Sequence, residues 1–430
     1  MHKILFISTM LGVAMPSAFD AQPVDPVVTP EIRAGWLLFY DPVISGNQNI
    51  SCATCHHPKF GTSDGVSLSL GEGATGLGPD RVVGQTNPPE QRIPRNAPSL
   101  FNLGEAEFSS MFHDGRLESD PTKPAGIRTP LGEDMTLGFD SVLSAQAMFP
   151  VLSGDEMAGQ YSENDVSELT RLGQLSQPGG AWEVIAARVN AIPEYRTMFD
   201  DIIGPDQPVH FTDISNVVAD FIIFEWRADN SRFDQYMRGT ADLTQPELFG
   251  MTLFYGKAEC GTCHLGRFQT DQDFHAIAMP QLGPGKAARF EGHHRDEGRL
   301  RVTGRAEDLF RFRTPSLRNI TETAPYGHSG AYATLDGVIR HHLDPIGSLL
   351  SYDRSQAVLA DLPGAEDWTI MDDPAEVAAI ADANELAPLA LTDGEIDAIT
   401  AFLHTLTDAE SVAGRLGVPD KVPSGLAVDK

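Results

Sequence analysis

The sequence predicts an all-α fold made of two similar domains, with long loops and few strands. Three observations lead to this prediction. The pattern Cys-x-x-Cys-His occurs twice, at residues 52–56 and 260–264. Similar segments flank both copies, and each half of the chain closes with an amphipathic helical pattern. Forty glycines and thirty prolines among 430 residues indicate many turns between the helices.

The two closing helices are predicted from apolar residues that recur three or four positions apart. Thr392 and Glu395 have the spacing of a capping box, which would start the second of these helices. The first apolar stripe is Ile214, Val217, Val218, Phe221 and Ile222, and the second is Ile396, Ile399, Leu403 and Leu406.

The segments around the two motifs repeat each other. Residues 30–40 resemble residues 246–255, since both begin with Pro-Glu and end with Phe-Tyr. Two further elements follow each motif in the same order. They are Pro-Ser-Leu-x-Asn at 98–102 and 315–319, and His-x-Gly at 113–115 and 328–330.

The charge of the chain limits its partners. Sixty acidic and thirty-one basic residues give a formal net charge of −29. Nucleic acid is not expected as a partner, because binding to phosphates depends on lysine and arginine. A basic protein, in contrast, would be attracted to this surface.

The first 21 residues are predicted to be an export signal. A basic start at Lys3 precedes an apolar run over residues 4–14, and small residues up to Ala21 offer a cleavage site. The run is too short to span a bilayer. We therefore expect a soluble periplasmic protein, and the alternative is an ordinary N-terminal core helix.

The four cysteines are predicted to attach haem. Four cysteines in an exported protein would usually suggest two disulfides. Cys-x-x-Cys-His, however, is the attachment signature of a c-type haem, in which both thiols form thioethers and the histidine binds the iron. A zinc site or a redox dithiol would not need the histidine. The attachment residues are Cys52, Cys55, Cys260 and Cys263, and the proximal ligands are His56 and His264.

Helix, haem motif, long loop and closing helix outline a small cytochrome c domain. We therefore predict two cytochrome c-like domains, each with one covalent haem c, at residues 22–238 and 239–430. They follow the signal peptide at residues 1–21, and the joint lies near residues 236–244. These ranges are called the first half and the second half below.

The chain resembles the bacterial di-haem cytochrome c peroxidase and MauG superfamily from about Glu31 to its C-terminus. The resemblance implies that the N-terminal haem meets hydrogen peroxide, that the C-terminal haem relays or stores oxidising equivalents, and that a calcium ion lies between the domains. It rests on Arg-Asn-Ala-Pro-Ser at 95–99, Phe-His-Asp-Gly-Arg at 112–116, Thr-Pro-Ser-Leu-Arg-Asn at 314–319 and Ala-Pro-Tyr-Gly-His at 324–328.

The resemblance also implies a catalytic pair. Residues 146–151 and 155–157 resemble the family's distal segment, which holds a glutamine and, ten residues later, a glutamate; here these are Gln146 and Glu156. Splitting the peroxide O–O bond requires a proton to move between its oxygens, which a poorly solvated carboxylate can do. The alternative for Glu156 is a solvated surface charge.

The calcium site implied by the resemblance consists of the Asn96 side chain and the backbone carbonyls of Thr323 and Pro325. Oxygen donors of this kind suit a hard cation. The alternative is that Asn96 only caps a turn.

Two departures from the family concern the first haem and the region between the haems. Peroxidases that need reductive activation carry a distal histidine after the first motif, but this sequence has none between Pro58 and Phe112. We therefore expect the first iron to be open to peroxide without prior reduction, as in MauG. His113 replaces the family's inter-haem tryptophan, so we expect tunnelling or a hydrogen-bond link there. Alternatively, His113 is a structural residue of the repeated His-x-Gly turn.

A third departure concerns the sixth ligand of the second haem, which is methionine in the peroxidases and tyrosine in MauG. By counting along the resemblance, this position falls on His342, with His341 and Met279 as other candidates. A second imidazole would lower the haem potential relative to a His/Met haem.

Three functions follow. The leading prediction is a peroxidase that reduces hydrogen peroxide with electrons from a basic donor, such as a small cytochrome c or cupredoxin. The second is a MauG-like oxidase that uses peroxide to modify a side chain of a protein substrate. The third is an electron carrier without chemistry. Many relatives are dimers, so a homodimer is a further expectation from the resemblance.

Overall fold

A computed structural model describes residues 27–287 and 291–430. The predicted export signal at residues 1–21 lies outside the described residues. Within the described part of the chain, no helix is long and apolar enough to cross a membrane.

The fold is mostly helical, as predicted. In the first half the helices are α1 (Pro30–Phe39), α2 (Cys52–Cys55), α3 (Val142–Ala147), α4 (Asp165–Arg171), α5 (Ala181–Asn190), α6 (Pro193–Ile203), α7 (Phe211–Glu225) and α8 (Arg232–Met237). In the second half they are α9 (Gln245–Tyr255), α10 (Leu300–Thr303), α11 (Leu335–Leu343), α12 (Pro345–Leu350), α13 (Thr369–Asp372), α14 (Pro374–Asp382), α15 (Asp393–His404) and α16 (Ala409–Ala413).

The strands are few and only two or three residues long, which confirms the prediction of little β structure. All pairs are antiparallel, with Met111 opposite Leu117 and His275 opposite Phe312. The strands are β1 (Ala74–Thr75) with β2 (Val82–Val83), then β3 (Ser110–Met111), β4 (Leu117–Ser119) and β5 (Ile127–Arg128), and finally β6 (Phe274–His275) with β7 (Phe312–Arg313).

The closing helices form as the apolar stripes predict. All five stripe residues of α7 are buried. Thr392 caps α15, since its Oγ1 accepts from the Glu395 amide at 3.3 Å and Glu395 accepts from the Thr392 amide at 2.9 Å. Leu406 is buried too, but it lies beyond the end of α15 at His404.

Each closing helix packs against the helix that precedes the haem motif of its half, and both contacts depend on a glycine. A Cβ added at Gly35 of α1 would lie 1.8 Å from the carbonyl oxygen of Val217 in α7. A Cβ added at Gly250 of α9 would lie 1.8 Å from the carbonyl oxygen of Ala398 in α15. Only glycine permits backbones to approach this closely. The same type of helix crossing therefore occurs once in each half.

The asparagines of the repeated Pro-Ser-Leu-x-Asn element also make the same kind of hydrogen bond in each half. Both have positive φ, 62° at Asn102 and 57° at Asn319. The Asn102 Oδ1 accepts from the Ala228 amide at 2.8 Å, just after α7, and the Asn319 Oδ1 accepts from the Asp408 amide at 2.7 Å, just after α15. These matching contacts support a duplicated architecture, while the exact domain boundaries stay a prediction.

The end of the second half lies on the first half. Val422 is buried in the core that α1 and α7 form, and Leu426 and Val428 pack against it. Residues 414–430, named the C-terminal strap here, are thus part of the first half's packing although they follow the second half in sequence.

Gly35→Ala should lower the free energy of unfolding by about 3 kcal/mol, the upper end for overpacking, because the new methyl group meets a main-chain carbonyl. Urea unfolding of the purified protein measures this change. Gly394→Ala is the matched control, because nothing lies within 4 Å of a Cβ there. An equal loss of stability in both variants would contradict the role given to the crossing.

Candidate active site

The first haem motif places its histidine for metal binding. α2 carries both cysteines, and His56 follows as its C-cap; the Nδ1 of His56 donates to the Thr62 carbonyl at 2.9 Å. This bond fixes the tautomer and leaves Nε2 as the nitrogen available to a metal. Burial raises the pKa of the Cys52 and Cys55 thiols to about 12.

The second motif has the same arrangement. The Nδ1 of His264 donates to the Gln269 carbonyl at 3.0 Å, again leaving Nε2 available. All four cysteines are free of disulfide bonds, which suits thioether attachment of two haems. Cys263 also lies within a cluster with Asp271 and His275 whose ligand atoms are within 4.8 Å of one another. Thioether formation by Cys263 would leave that cluster only two ligands.

His342 of α11 faces His264. Its Nδ1 donates to the Val338 carbonyl at 2.8 Å, so Nε2 is the available nitrogen here too. The two imidazole centroids are 6.4 Å apart. Two metal–nitrogen bonds of about 2 Å each would separate the ring centres by roughly this distance. The pair therefore fits an iron atom between the rings.

The other two candidates for the sixth ligand are engaged elsewhere. His341 uses both ring nitrogens, Nδ1 with the Tyr332 hydroxyl at 2.9 Å and Nε2 with the Ile277 carbonyl at 2.7 Å. Burial lowers its pKa to about 3. Met279 packs in an apolar cluster with Tyr326 and Tyr332.

The two residues of the predicted catalytic pair both lie in enclosed positions. Gln146 is in the last turn of α3, and its Oε1 is buried without a hydrogen-bond partner. Glu156 lies on a single π-helical turn, Gly154–Ala158. Such turns often occur at functional sites, because they redirect a side chain. Burial raises the pKa of Glu156 above its ordinary value. Together with burial and Asp64, the charge of Glu156 raises the pKa of the Cys55 thiol, which places Glu156 on the side of the first motif.

Two cations near Glu156 were not predicted to act on it. Lys286, from the second half, and Arg116 both lower the pKa of Glu156 and so oppose the effect of burial. Burial and the charge of Arg116 in turn lower the pKa of Lys286. Lys286 follows a Gly-Pro-Gly turn, and a lone lysine after a turn carries no sequence signal that would have revealed this role.

A buried arginine joins the halves. Arg95 forms a bidentate pair with Asp296 of the second half, at 2.7 and 2.8 Å, and its Nη1 lies 2.7 Å from Asp114 of the first half. Burial would raise the pKa of Asp296, but the guanidinium overcomes this and holds it at about 2. The charge of Arg95 likewise holds the pKa of Asp114 well below its usual range. Both carboxylates are therefore ionised at neutral pH.

The two His-x-Gly turns meet beside this arginine. The His113 carbonyl accepts from the Arg313 amide at 2.8 Å, and the His328 carbonyl accepts from the Asn96 amide at 2.9 Å. Each turn is thus held by the residue two positions before the Pro-Ser-Leu segment of the opposite half. Burial and the nearby charge of Arg95 hold the pKa of His113 well below its ordinary value, so its imidazole is neutral.

His328 stacks on Phe312, with ring centroids 3.7 Å apart and ring planes 9° apart. The Arg95 guanidinium lies 5.5 Å from the centre of the same Phe312 ring. The Nε2 of His328 is buried without a partner, and burial lowers the pKa of this imidazole to about 4. The contact region between the halves is therefore aromatic and closely packed.

The structure places Asn96, the predicted calcium ligand, in this same region. Its Nδ2 donates to the Val66 carbonyl at 2.9 Å, so Oδ1 is the atom left for a cation. Thr323 and Pro325 precede the His328 turn by only a few residues. The calcium site itself stays a prediction.

A duplicated helical fold with two Cys-x-x-Cys-His motifs is typical of di-haem c-type cytochromes. Residues 29–242 match the family model CCP_MauG, described as di-haem cytochrome c peroxidase, and the chain belongs to this family. Membership implies two haem c groups and an oxidoreductase that acts on peroxide.

The relatives include both MauG proteins and peroxidases. The chain is 28% identical over 421 residues to the methylamine utilization protein MauG of Paracoccus denitrificans, covering 93% of this chain and 94% of the relative. It is 27% identical over 349 residues to the cytochrome c551 peroxidase of Nitrosomonas europaea, covering 78% and 82%.

Solved structures show the same fold. A MauG-like protein associated with microbial copper homeostasis superposes with a TM-score of 0.60 at 25% identity, covering 93% of this chain and 97% of that protein. The di-haem peroxidase BthA of Burkholderia thailandensis superposes with a TM-score of 0.57 at 21% identity, covering 93% and 90%.

Arg95→Met should lower the free energy of unfolding by about 3–5 kcal/mol, because it leaves Asp114 and Asp296 buried and unpaired. Urea unfolding followed by circular dichroism measures the loss. Arg354→Ala, which breaks a pair with Asp372 on the surface, is the control and should cost at most about 1 kcal/mol. If the two variants lose similar stability, Arg95 does not hold the halves together.

Proposed function

We propose that the protein is a periplasmic di-haem peroxidase that reduces hydrogen peroxide to water with electrons from a small basic electron-transfer protein. The supporting observation is an asymmetry between the two motifs. His342 faces His264 at the second motif, whereas the first motif has the poorly solvated carboxyl of Glu156 on its side. We assign the buried, unpartnered Oε1 of Gln146 to the same site.

Haem bound at the first motif supplies an iron that can take peroxide and accept its oxidising equivalents. The residues around it handle the proton. Glu156 accepts the proton from one peroxide oxygen and returns it to the other, which becomes water. The Oε1 of Gln146 accepts a hydrogen bond from the peroxide and holds it in place. Poor solvation of both groups keeps bulk water from competing.

Lys286 and Arg116 adjust this proton transfer. Burial disfavours the charged carboxylate of Glu156, which is the form that can accept a proton. The two cations lower the pKa of this carboxyl and so partly offset the effect of burial. Because Lys286 comes from the second half, the first site would be complete only when both halves are docked.

We assign the calcium ion, with Asn96, Thr323 and Pro325, a structural part in that docking. Asn96 and the other two ligands belong to opposite halves, so a cation bound by all three would tie the halves together. His113 remains neutral in the same region, and we propose that it helps to link the two centres through hydrogen bonds rather than as a radical.

A MauG-like oxidation of a protein side chain is the second candidate. The histidine at position 342, in place of the methionine of the peroxidases, favours it, because two imidazole ligands would give the second haem a low potential. A plain electron carrier would need both metal centres closed. Stopped-flow mixing of the oxidised protein with hydrogen peroxide distinguishes an electron carrier from the two enzymatic functions, since a carrier would show no fast spectral change.

Glu156→Gln should slow the reaction with peroxide by about 10²- to 10⁴-fold, because the amide cannot accept and return a proton. The rate constant is read from the fast spectral change after mixing. Glu168→Gln, the same substitution at an exposed position of α4, is the matched control and should react like the wild type.

The pH profile adds an independent check. Burial raises the pKa of Glu156, so this carboxylate takes up its proton at a higher pH than a surface glutamate does. The wild-type rate should therefore fall as the pH is lowered through this pKa, and the Glu156→Gln variant should lack this limb. A rate as fast as the wild type's in Glu156→Gln would overturn the assignment.

His342→Met should replace a bis-imidazole low-spin spectrum with thioether absorption in the far red and should raise the potential of one haem. Electron paramagnetic resonance and a redox titration of the oxidised protein measure both changes. His341→Gln should leave the low-spin spectrum in place and only reduce stability, because His341 bonds to Tyr332 and Ile277. If His341→Gln removes the bis-imidazole spectrum instead, the ligand assignment is wrong.

A further inference from the structure

The π-helical turn that carries Glu156 is held closed around a single main-chain acceptor. The amides of Glu156, Met157 and Ala158 all donate to the Ser153 carbonyl, at distances between 2.9 and 3.1 Å. An isolated turn is a weak structure, because its end carbonyls have no following helix to bind. The direction of the Glu156 side chain therefore depends on what surrounds the turn.

Three donors from outside the turn bind its three consecutive carbonyls. The carbonyls of residues 156–158 accept, in this order, from the Glu72 amide at 3.1 Å, from the Gly46 amide at 2.8 Å and from the Asn164 Nδ2 at 2.9 Å. Buried carbonyls need partners of this kind. The turn is thus fixed by segments that are distant from it along the chain.

Two of these segments contact the turn through glycines. A Cβ added at Gly71 would lie 1.8 Å from the Asp155 carbonyl oxygen, and a Cβ added at Gly46 would lie 1.8 Å from the Ala158 carbonyl oxygen. Only glycine permits this approach. The turn therefore lies directly against both segments.

The side chain of Glu72 joins these two segments to each other. Glu72 is 2% exposed, and its Oε1 accepts from the Nδ2 atoms of Asn47 and Asn49, both at 2.8 Å. Its Oε2 accepts from the Nδ2 of Asn87 at 3.3 Å. Asn47 directly follows Gly46. One buried carboxylate thus connects both main-chain amides that bind the turn.

Arg81 holds the loop that carries Glu72. It is 6% exposed, and its guanidinium donates to three main-chain carbonyls within residues 70–76. Burial is the main cause of the raised pKa of the Cys55 thiol, and the charges of Arg81 and Glu156 modify it in opposite directions. The loop and the turn therefore both lie beside the first haem motif.

We propose that Glu72 is a positioning residue for the proton transfer: its carboxylate gathers the segments that bind the turn and so fixes the direction of the Glu156 carboxyl. This inference rests on the proposed function and deepens it. Glu72 acts through the turn and does not itself exchange a proton with the peroxide. Asn47, Asn49 and Asn87 complete the support.

Hydrogen exchange of residues 154–158 in the purified holoprotein is the first test, and it needs no peroxide. Glu72→Gln should make these amides exchange about tenfold faster, because an amide oxygen accepts more weakly than a carboxylate and the new NH2 group faces Asn87. Glu107→Gln, the same substitution at an exposed position of the first half, is the matched control and should exchange like the wild type. Unchanged exchange in Glu72→Gln would overturn the proposal.

Asn49→Ala tests the same support without a change of charge. It removes one donor to Glu72, so residues 154–158 should again exchange faster, by a smaller factor. Asn49 is exposed, and we therefore expect this variant to fold even if Glu72→Gln does not. Gln85→Ala, at an exposed position of the loop near Asn87, is its control. Equal exchange in Asn49→Ala and Gln85→Ala would contradict the gathering role.

The pH profile of the peroxide reaction separates positioning from general support of the fold. Burial and Asp155 raise the pKa of Glu156, whereas Lys286 and Arg116 lower it. A carboxyl that stays buried but shifts away from the two cations loses part of their effect. In Asn49→Ala the fall in rate should therefore begin at a higher pH than in the wild type. A limb at the wild-type position in both Asn49→Ala and Glu72→Gln would overturn the proposal.

Failure of this inference and failure of the proposed function give different results. If Glu156→Gln slows the reaction but Glu72→Gln matches the wild type in exchange and pH profile, the proposed function stands and the role of Glu72 is wrong. If the protein does not react with peroxide but Glu72→Gln and Asn49→Ala exchange faster, the proposed function is wrong and the support of the turn by Glu72 stands.

Discussion

The positive charge of Arg95 is the element on which the arrangement of the two halves depends. It lies out of water between Asp114 and Asp296, one carboxylate from each half. A buried ion pair of this kind is weak evidence for stability, because desolvation offsets the attraction, but removing one partner is costly. Any relative placement of the halves that separated these groups would leave buried charges unpaired. The proposed distal site needs the observed placement, since Glu156 and Lys286 come from opposite halves.

Both the similarities and the differences between the two halves contribute to the proposed chemistry. The helix crossings at Gly35 and Gly250 are alike, and both proximal histidines are held by a backbone carbonyl. The differences lie in the residues that would face each iron. One copy has an imidazole opposite its histidine, and the other has the carboxyl of Glu156 on the side of its motif, where we propose that the Gln146 amide joins it. A single fold can in this way hold one centre suited to substrate and another suited to electron transfer.

Much of the fold and part of the candidate site could be predicted from the sequence, because they depend on local sequence patterns. The haem motifs, the two closing helices and the Thr392 cap depend on residues that are close together along the chain. The position of His342 followed from its register in the resemblance, and the structure brings it opposite His264. Lys286, Asp296 and the C-terminal strap were missed for a common reason. Each acts through a contact with residues more than a hundred positions away, and no local spacing records such a contact.

Two of the amide–carbonyl bonds that cross between the halves, from Arg313 to His113 and from Asn96 to His328, hold the His-x-Gly turns through main-chain atoms only. Replacing the side chains at these four positions by any residue except proline, which lacks the donor N–H, would leave both bonds intact as long as the backbone path is kept. Insertion or deletion of one residue in either turn would break them at once. The contact between the halves therefore tolerates changes of side chain in these turns but not insertions or deletions. In a hybrid protein that joins halves from two sources, the lengths of these loops would matter more than their amino-acid composition.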